Sequence, residues 1–195
     1  MKKNIYFIIC LFALCGLIFS LTAVNAIDSS SWHTQKVGGV DFKIPPNYEG
    51  GDLTRSGSVY SVYNLNQFQI SSVDDCLKNT YGFDASKGHC EDMVISNHEG
   101  VHVTYYSAYC KDNLSKFYFS IGDSIFELRW KGSAVSPEIE EIVSNCQDST
   151  LSSTEFHNLL SNAKNDYLNG KYSHNTYDSY DSYELDTDYE NYYDY

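Results

Sequence analysis

Hydrophobic and polar residues alternate most regularly in the second half of the chain. Apolar side chains occupy every second position in three runs, 101–109, 114–121 and 125–131. Alternation with a period of two is typical of β-strands that have one buried and one solvent-exposed face. The connections between the runs are short and polar, so the pattern predicts an antiparallel meander of three strands.

Two hairpins are predicted ahead of this meander. Residues 37–44 are strand formers around a glycine pair, and Pro45 and the proline after it end the run because they lack amide donors. Residues 47–52 have the composition of a turn-rich loop. The runs 58–63 and 67–73 are rich in Tyr and β-branched residues, which predicts the second hairpin.

Start and stop signals predict three helices. The start signals are Ser72 with Asp75, Ser136 before Pro137, and Ser152 with Glu155. Gly82 is expected to end the first helix and Gly170 the last. Together these elements predict one α+β domain over residues 31–170, in which an antiparallel sheet of meander and hairpins is flanked by helices.

The first 26 residues have the pattern of a secretory signal peptide. Two lysines precede an apolar run over residues 5–21, and the small residues Val24 and Ala26 follow at a cleavage position. We therefore expect an extracellular or cell-surface protein. The apolar run is at the lower limit of about 17 residues for a membrane span. An uncleaved segment would act as an anchor, and membrane contact is expected only through it.

Charge excludes one large class of partner. The formal net charge is −13, and it falls to about −15 when the two N-terminal lysines leave with the signal. Proteins that bind nucleic acid place clustered Lys and Arg against phosphates, so this composition argues against nucleic-acid binding. Such a charge also favours solubility.

The last part of the chain, from Tyr172 to Tyr195, has a different composition. It contains eight Tyr and seven acidic residues, and it has neither Lys nor Arg. It shows no periodic apolar face, which predicts a disordered tail over residues 171–195. Because tyrosine suits contacts that are partly apolar and partly hydrated, we expect this tail to contact a cell-wall polymer or a surface protein.

Four cysteines follow the signal: Cys76, Cys90, Cys110 and Cys146. An even number in an exported chain predicts two disulfides, for which three connectivities exist. We favour Cys76 with Cys90 and Cys110 with Cys146, because the first pair would join the short helix to the loop that follows it. The spacing does not fit a zinc site.

One sequence motif suggests catalysis. His98, Glu99 and His102 form a literal H-E-x-x-H, which on a helix lets two imidazoles bind Zn²⁺ while the glutamate activates water. The surrounding residues are strand formers, and in a strand the two imidazoles would lie about 13 Å apart. We therefore expect a hairpin turn at residues 96–100. A zinc-dependent hydrolase remains the alternative function, and no cofactor is expected otherwise.

Several segments resemble PsbP-like proteins. Four sequence segments follow one another in that family's order over residues 31–146. They are VGGVDFKIPPNYEGG, ISNHEGVHVTYY, KFYFSIGDSIFELRW and PEIEEIVSNC. The chain also resembles small signal-bearing proteins of methanogenic archaea. The PsbP-like resemblance implies an antiparallel sheet flanked by helices, in a superfamily of envelope and binding proteins that mostly lack catalytic residues. It implies a non-enzymatic binding or scaffolding protein.

A glycosylation sequon occurs once. Asn113 begins the sequence Asn-Leu-Ser in the predicted turn between two strands of the meander. An exposed sequon in an exported protein is a candidate acceptor for an N-linked glycan.

Overall fold

The computed structural model describes residues 27–48, 52–56, 59–63, 68–108 and 111–173. For residues 52–56, 59–63 and 171–173 the description is limited to the backbone. The predicted signal peptide lies outside the described residues, and so does the predicted tail from residue 174 onward. None of the helices within the described ranges is both long and apolar enough to cross a membrane.

The fold is α+β, as predicted. Its strands are β1 (His33–Val37), β2 (Val40–Ile44), β3 (Asp52–Ser56), β4 (Val59–Tyr63), β5 (Gln69–Ser72), β6 (His89–Ile95), β7 (His98–Ser107), β8 (Asp112–Ile121) and β9 (Ser124–Lys131). Its α-helices are α1 (Phe83–Lys87), α2 (Pro137–Ser144) and α3 (Ser153–Ser173). A 3₁₀ turn (Pro46–Tyr48) follows β2, and a second 3₁₀ turn (Asp74–Cys76) and a π-helical turn (Lys78–Gly82) precede α1.

Strands β3 to β9 form one antiparallel sheet in the order β3-β4-β5-β9-β8-β7-β6. The predicted meander is confirmed as β7, β8 and β9, and both predicted hairpins are present as β1–β2 and β4–β5. Two strands were not predicted. Strand β3 begins where a loop was expected, and β6 has no regular alternation of apolar and polar residues.

The first face of the sheet is covered by the β1–β2 hairpin and α2. Phe42 and Ile44 of the hairpin and Ile139 and Ile142 of α2 are buried with the alternating apolar residues of β8 and β9. Helix α2 begins as predicted, since the Ser136 hydroxyl accepts a hydrogen bond from the Ile139 amide at 3.3 Å. This face holds the larger apolar core.

The second face is covered by the segment 74–87 and by α3. Val103 and Tyr118 of the sheet pack here against Tyr81, Phe156 and Leu160. We predicted that one face of the meander would be solvated, and this is wrong. Tyr118 is fully buried, and even the carboxylate-bearing Glu127 on this face is only 4% exposed. The sheet is therefore the middle layer of three.

Gly82 does not end the first helix. The helical segment continues through it to Lys87, and the residue lies directly against α3. A Cβ atom at this position would be 2.7 Å from the carbonyl oxygen of Ala163 and 2.7 Å from the Cβ atom of Tyr167. The glycine is therefore required by a close helix contact. The last helix starts at its predicted Ser152–Glu155 capping box and continues past Gly170 to Ser173.

Candidate functional site

The H-E-x-x-H sequence lies in a strand. Strand β7 begins at His98, so the helix that places both imidazoles on one zinc ion is not formed. His98 and His102 lie on the same face because side chains alternate along a strand, whereas Glu99 lies on the other face and is exposed. Within the described residues, no group of three or more His, Cys, Asp or Glu has an arrangement that could hold a metal ion.

His102 is a buried connector between strands. Its Nδ1 atom lies 3.0 Å from Oε1 of Glu91 on β6, and its Nε2 atom lies 2.9 Å from the hydroxyl of Ser115 on β8. The Ser115 hydroxyl donates a hydrogen bond to the Gly132 carbonyl at 2.7 Å. The imidazole is stacked on the indole of Trp130. Both ring nitrogens are therefore used inside the protein.

His98 is also buried, at 2% exposure. Its Nε2 atom donates a hydrogen bond to the Gln147 carbonyl at 3.0 Å, because a carbonyl can only accept. Its Nδ1 atom has no hydrogen-bond partner. The turn before it is tighter than predicted, since the Ile95–His98 pair closes a two-residue turn at Ser96 and Asn97. We expected this region to be a surface turn, but both histidines are core residues.

A cluster of charged and polar groups is buried on the second face. Lys116 of β8 lies with its Nζ atom 2.7 Å from Oδ2 of Asp84 on α1 and 3.3 Å from the carboxylate of Glu127 on β9. The Tyr118 hydroxyl contacts Oδ2 of Asp84 and lies 2.9 Å from Oε2 of Glu127. The side chains of Asp84, Glu127 and Lys116 are 3%, 6% and 11% exposed.

Burial and charge act in opposite directions on this cluster. Burial lowers the pKa of Lys116, but the negative charges of Glu127 and Asp84 outweigh it and raise that pKa above its ordinary value. Burial and the same carboxylates raise the pKa of Tyr118 well above its ordinary value. In its resting state the cluster therefore contains a charged Lys116 amine, paired with carboxylate, and a neutral Tyr118 phenol. Sequence reasoning missed it, because Lys116 and Glu127 had the spacing of solvent-exposed residues.

A cleft lies between the edge strand β6 and helix α3. It consists of three adjoining depressions of about 410, 280 and 220 Å³. The first two share Asp92 and His157, and the last two share Glu99 and Ser153, so the depressions form a continuous path. Within the described part of the chain, β6 pairs with β7 alone, which leaves its other edge without a strand partner.

The cleft has an apolar floor and acidic walls. Val101, Phe156 and Leu160 contribute apolar surface. Three carboxylates line it, from Asp92, Glu99 and Asp148, with the basic side chains of His157 and Lys164, whereas the carboxylate of Glu91 is bonded to His102 on the other face of the sheet. Sequence reasoning did not find this cleft.

Cys76 and Cys90 are half-buried against the second core and are free thiols in the structure. Burial raises the pKa of both. The disulfide between them therefore remains a prediction. Cys146 is buried, its thiol donates to the Ile142 carbonyl at 3.3 Å, and burial raises its pKa to about 12.

Cys110, the predicted partner of Cys146, lies outside the described residues. The Cys110–Cys146 disulfide therefore stays a prediction.

Asn113 is exposed, as a glycan acceptor requires. It lies at the second position of β8 instead of in the turn before it. Its backbone amide is bonded to Oδ1 of Asp112 at 2.8 Å. Glycosylation here stays a prediction.

Comparison with known proteins identifies no relative. No family model matches the chain, and neither a curated protein nor a solved structure shows significant similarity to it.

Proposed function

We propose that this protein is an exported, non-enzymatic binding protein and that the cleft between β6 and α3 is its ligand site. Export rests on the N-terminal sequence pattern, and a PsbP-like ancestry rests on the sequence resemblance given above. The binding role rests on one structural observation, the continuous acidic cleft beside an unpaired strand edge. The two histidines of the H-E-x-x-H sequence are engaged in the core, so the structure offers no observation that favours the zinc hydrolase.

The charges of the cleft indicate the class of ligand. Three carboxylates, from Asp92, Glu99 and Asp148, against the exposed basic groups of Lys164 and His157 favour a positively charged ligand. The cleft is long and follows β6, whose outer backbone groups are available to pair with an added strand. The ligand that fits both features is an extended polypeptide segment with lysine or arginine at alternate positions, as on the surface of a basic envelope protein.

A pair of synthetic peptides tests this proposal. One alternates Lys with Thr, and the other carries Glu in place of each Lys. Fluorescence anisotropy with the mature protein should show binding of the lysine peptide, weakened by added salt because surface charges are screened. The glutamate peptide should not bind. The double variant Asp92→Asn/Glu99→Gln should weaken binding about tenfold through loss of charge complementarity.

The control removes the same charge elsewhere. Glu138→Gln/Glu140→Gln lies on α2, across the sheet from the cleft, and it should leave the affinity unchanged. Equal weakening by both double variants would mean that only the net charge of the protein attracts the peptide. Failure of the lysine peptide to bind at low salt would remove the proposal altogether.

A further inference from the structure

The buried cluster of Asp84, Lys116, Tyr118 and Glu127 holds one amine in contact with two carboxylates. An amine lies 2.7 Å from a carboxyl oxygen of Asp84, and a second carboxylate is 3.3 Å from the same amine. All four groups are largely withdrawn from solvent. We propose that Lys116 and Asp84 condense spontaneously into an amide, a covalent isopeptide bond between β8 and α1.

The reactive form is the neutral tautomer of the ion pair. In water an ammonium and a carboxylate do not condense, because the amine is protonated and the carboxylate is a poor electrophile. Burial penalises both charges, but the carboxylates of Asp84 and Glu127 outweigh this penalty for Lys116, so the ion pair is the resting state and the neutral amine and carboxylic acid form a minor state. The proton need move only from Nζ of Lys116 to the carboxylate that it already contacts.

The condensation balances without any external reactant. The lone pair of the neutral Lys116 nitrogen attacks the Cγ atom of Asp84, and a tetrahedral intermediate with two oxygens forms. The nitrogen then loses a proton, one Asp84 oxygen gains one, and that oxygen leaves as water. One N–C bond forms and one C–O bond breaks. No oxidant, metal or nucleotide is needed, and the only product besides the amide is a water molecule.

Glu127 is placed to carry the proton. Its carboxylate contacts both Nζ of Lys116 and the Tyr118 hydroxyl, so it can take the proton from the attacking nitrogen and return it to the leaving oxygen. Tyr118 donates its hydrogen bond to Oδ2 of Asp84, which stabilises the negative charge that develops on this oxygen during attack. These two residues therefore have roles in the reaction that a simple ion pair does not require.

The surroundings hold the reacting groups in position. Lys116 and Glu127 belong to neighbouring central strands, and Asp84 belongs to the helical segment that α3 holds against the sheet. Reacting atoms that are held within contact distance gain much of the advantage of an intramolecular reaction. The dry site also favours the release of water. The bond would tie the helical layer to the middle of the sheet and close a loop over 32 positions of the chain.

Mass spectrometry of the mature wild-type protein tests the bond. After reduction and full denaturation, the intact mass should lie below the sequence mass by one water molecule. Tryptic digestion should yield a branched peptide that joins residues 79–87 to residues 112–129, because trypsin cannot cleave after an acylated Lys116. The branched peptide separates this cross-link from water loss at another residue. Complete cleavage after Lys116 in the folded protein's digest would overturn the proposal.

Two variants test the assigned roles. Glu127→Gln should have the full mass of its sequence, because no water is lost when the cross-link does not form. Circular dichroism will show whether this variant is folded. Glu140→Gln, an exposed carboxylate on α2, should lose one water as the wild type does. An undiminished cross-link in Glu127→Gln would contradict the proton transfer through Glu127. A link from Lys116 to Glu127 in the wild-type digest would contradict the choice of Asp84. If Glu127→Gln does not fold, the wild-type peptide map alone decides.

Discussion

The imidazole of His102 lies parallel to the indole of Trp130, with ring centroids 5.5 Å apart and planes inclined by 3°. The ring is also hydrogen-bonded at both nitrogens, to Glu91 on one side and Ser115 on the other. A residue that the sequence presents as a metal ligand therefore connects strands β6, β7, β8 and β9 through the core. Replacing His102 should therefore strongly lower the stability of the folded protein.

His102→Ala should lower the free energy of unfolding by about 2–4 kcal/mol, because it leaves a cavity and removes partners from two polar groups. Urea denaturation followed by tryptophan fluorescence measures this directly. Glu99→Ala changes an exposed residue of the same motif and should stay within about 0.5 kcal/mol of the wild type.

Equal small effects of the two substitutions would mean that His102 is not a core residue. Metal analysis of the same preparations adds a second criterion. Stoichiometric zinc in the wild type that is lost in His102→Ala would restore the hydrolase that the sequence suggested.

Alternation along the chain predicted β7, β8 and β9 correctly, but it could not predict that both faces of these strands are covered. Lys116 and Glu127 have the spacing of solvent-exposed side chains. Their partner Asp84 lies 32 positions away from Lys116 and comes from a helical layer that packs over them. Local pattern contains no information about such a layer. The cleft could not be predicted for the same reason, because Asp92 and His157, which are in contact there, are 65 residues apart in the chain.

Two glycines that appeared equivalent in the sequence should respond oppositely to substitution. Gly82→Ala places a Cβ atom 2.7 Å from the Ala163 carbonyl oxygen, so it should destabilise the protein by about 1–3 kcal/mol. Gly170→Ala meets only the flexible end of Lys78, at 3.4 Å, and should stabilise helix α3 by about 0.5–1 kcal/mol. Thermal denaturation of both variants checks the pair, and a stabilised Gly82→Ala would contradict the observed helix contact.

His157 should titrate above its ordinary pKa of 6.5. The Ser153 carbonyl accepts a hydrogen bond from Nδ1 at 2.8 Å, and the Asp92 carboxylate lies 3.3 Å from Nε2, so the protonated ring is favoured. NMR titration of the ring protons measures this. Asp92→Asn should lower the pKa of His157 towards its ordinary value. The control Glu140→Gln, on the opposite face, should leave it unchanged.

His157 should stabilise the folded protein more at low pH than at high pH. A histidine whose folded pKa is raised stabilises the protein fully below the unfolded pKa of about 6.5. This contribution is lost as the pH rises through the folded pKa. The side chain is 40% exposed, so solvent screens the interaction and the effect is small. A difference between wild type and Asp92→Asn that grows at higher pH would contradict this assignment.

Cys146 should remain a protected thiol. Its burial and its pKa of about 12 leave little thiolate for reaction. Alkylation in the native state should therefore spare it, and denaturation should expose it. The mass of the unreduced protein relative to its reduced form should show the loss of two hydrogens, for the predicted Cys76–Cys90 disulfide. A loss of four hydrogens, with Cys146 in a mapped disulfide, would contradict the buried free thiol and support the predicted Cys110–Cys146 pairing.

The tail offers a test that separates fold from attachment. Helix α3 ends at Ser173, so a chain truncated after this residue keeps every described contact of the domain. Its thermal midpoint should equal that of the full mature chain. Retention on isolated cell envelopes should fall, because the tyrosines from residue 177 onward supply contacts that are partly apolar and partly hydrated.

A full-length variant with these tyrosines changed to serine keeps the tail's charge and length, and it should lose retention equally. Unchanged retention in both chains would eliminate adhesion through the tail, and a lower midpoint after truncation would show that the tail belongs to the folded domain.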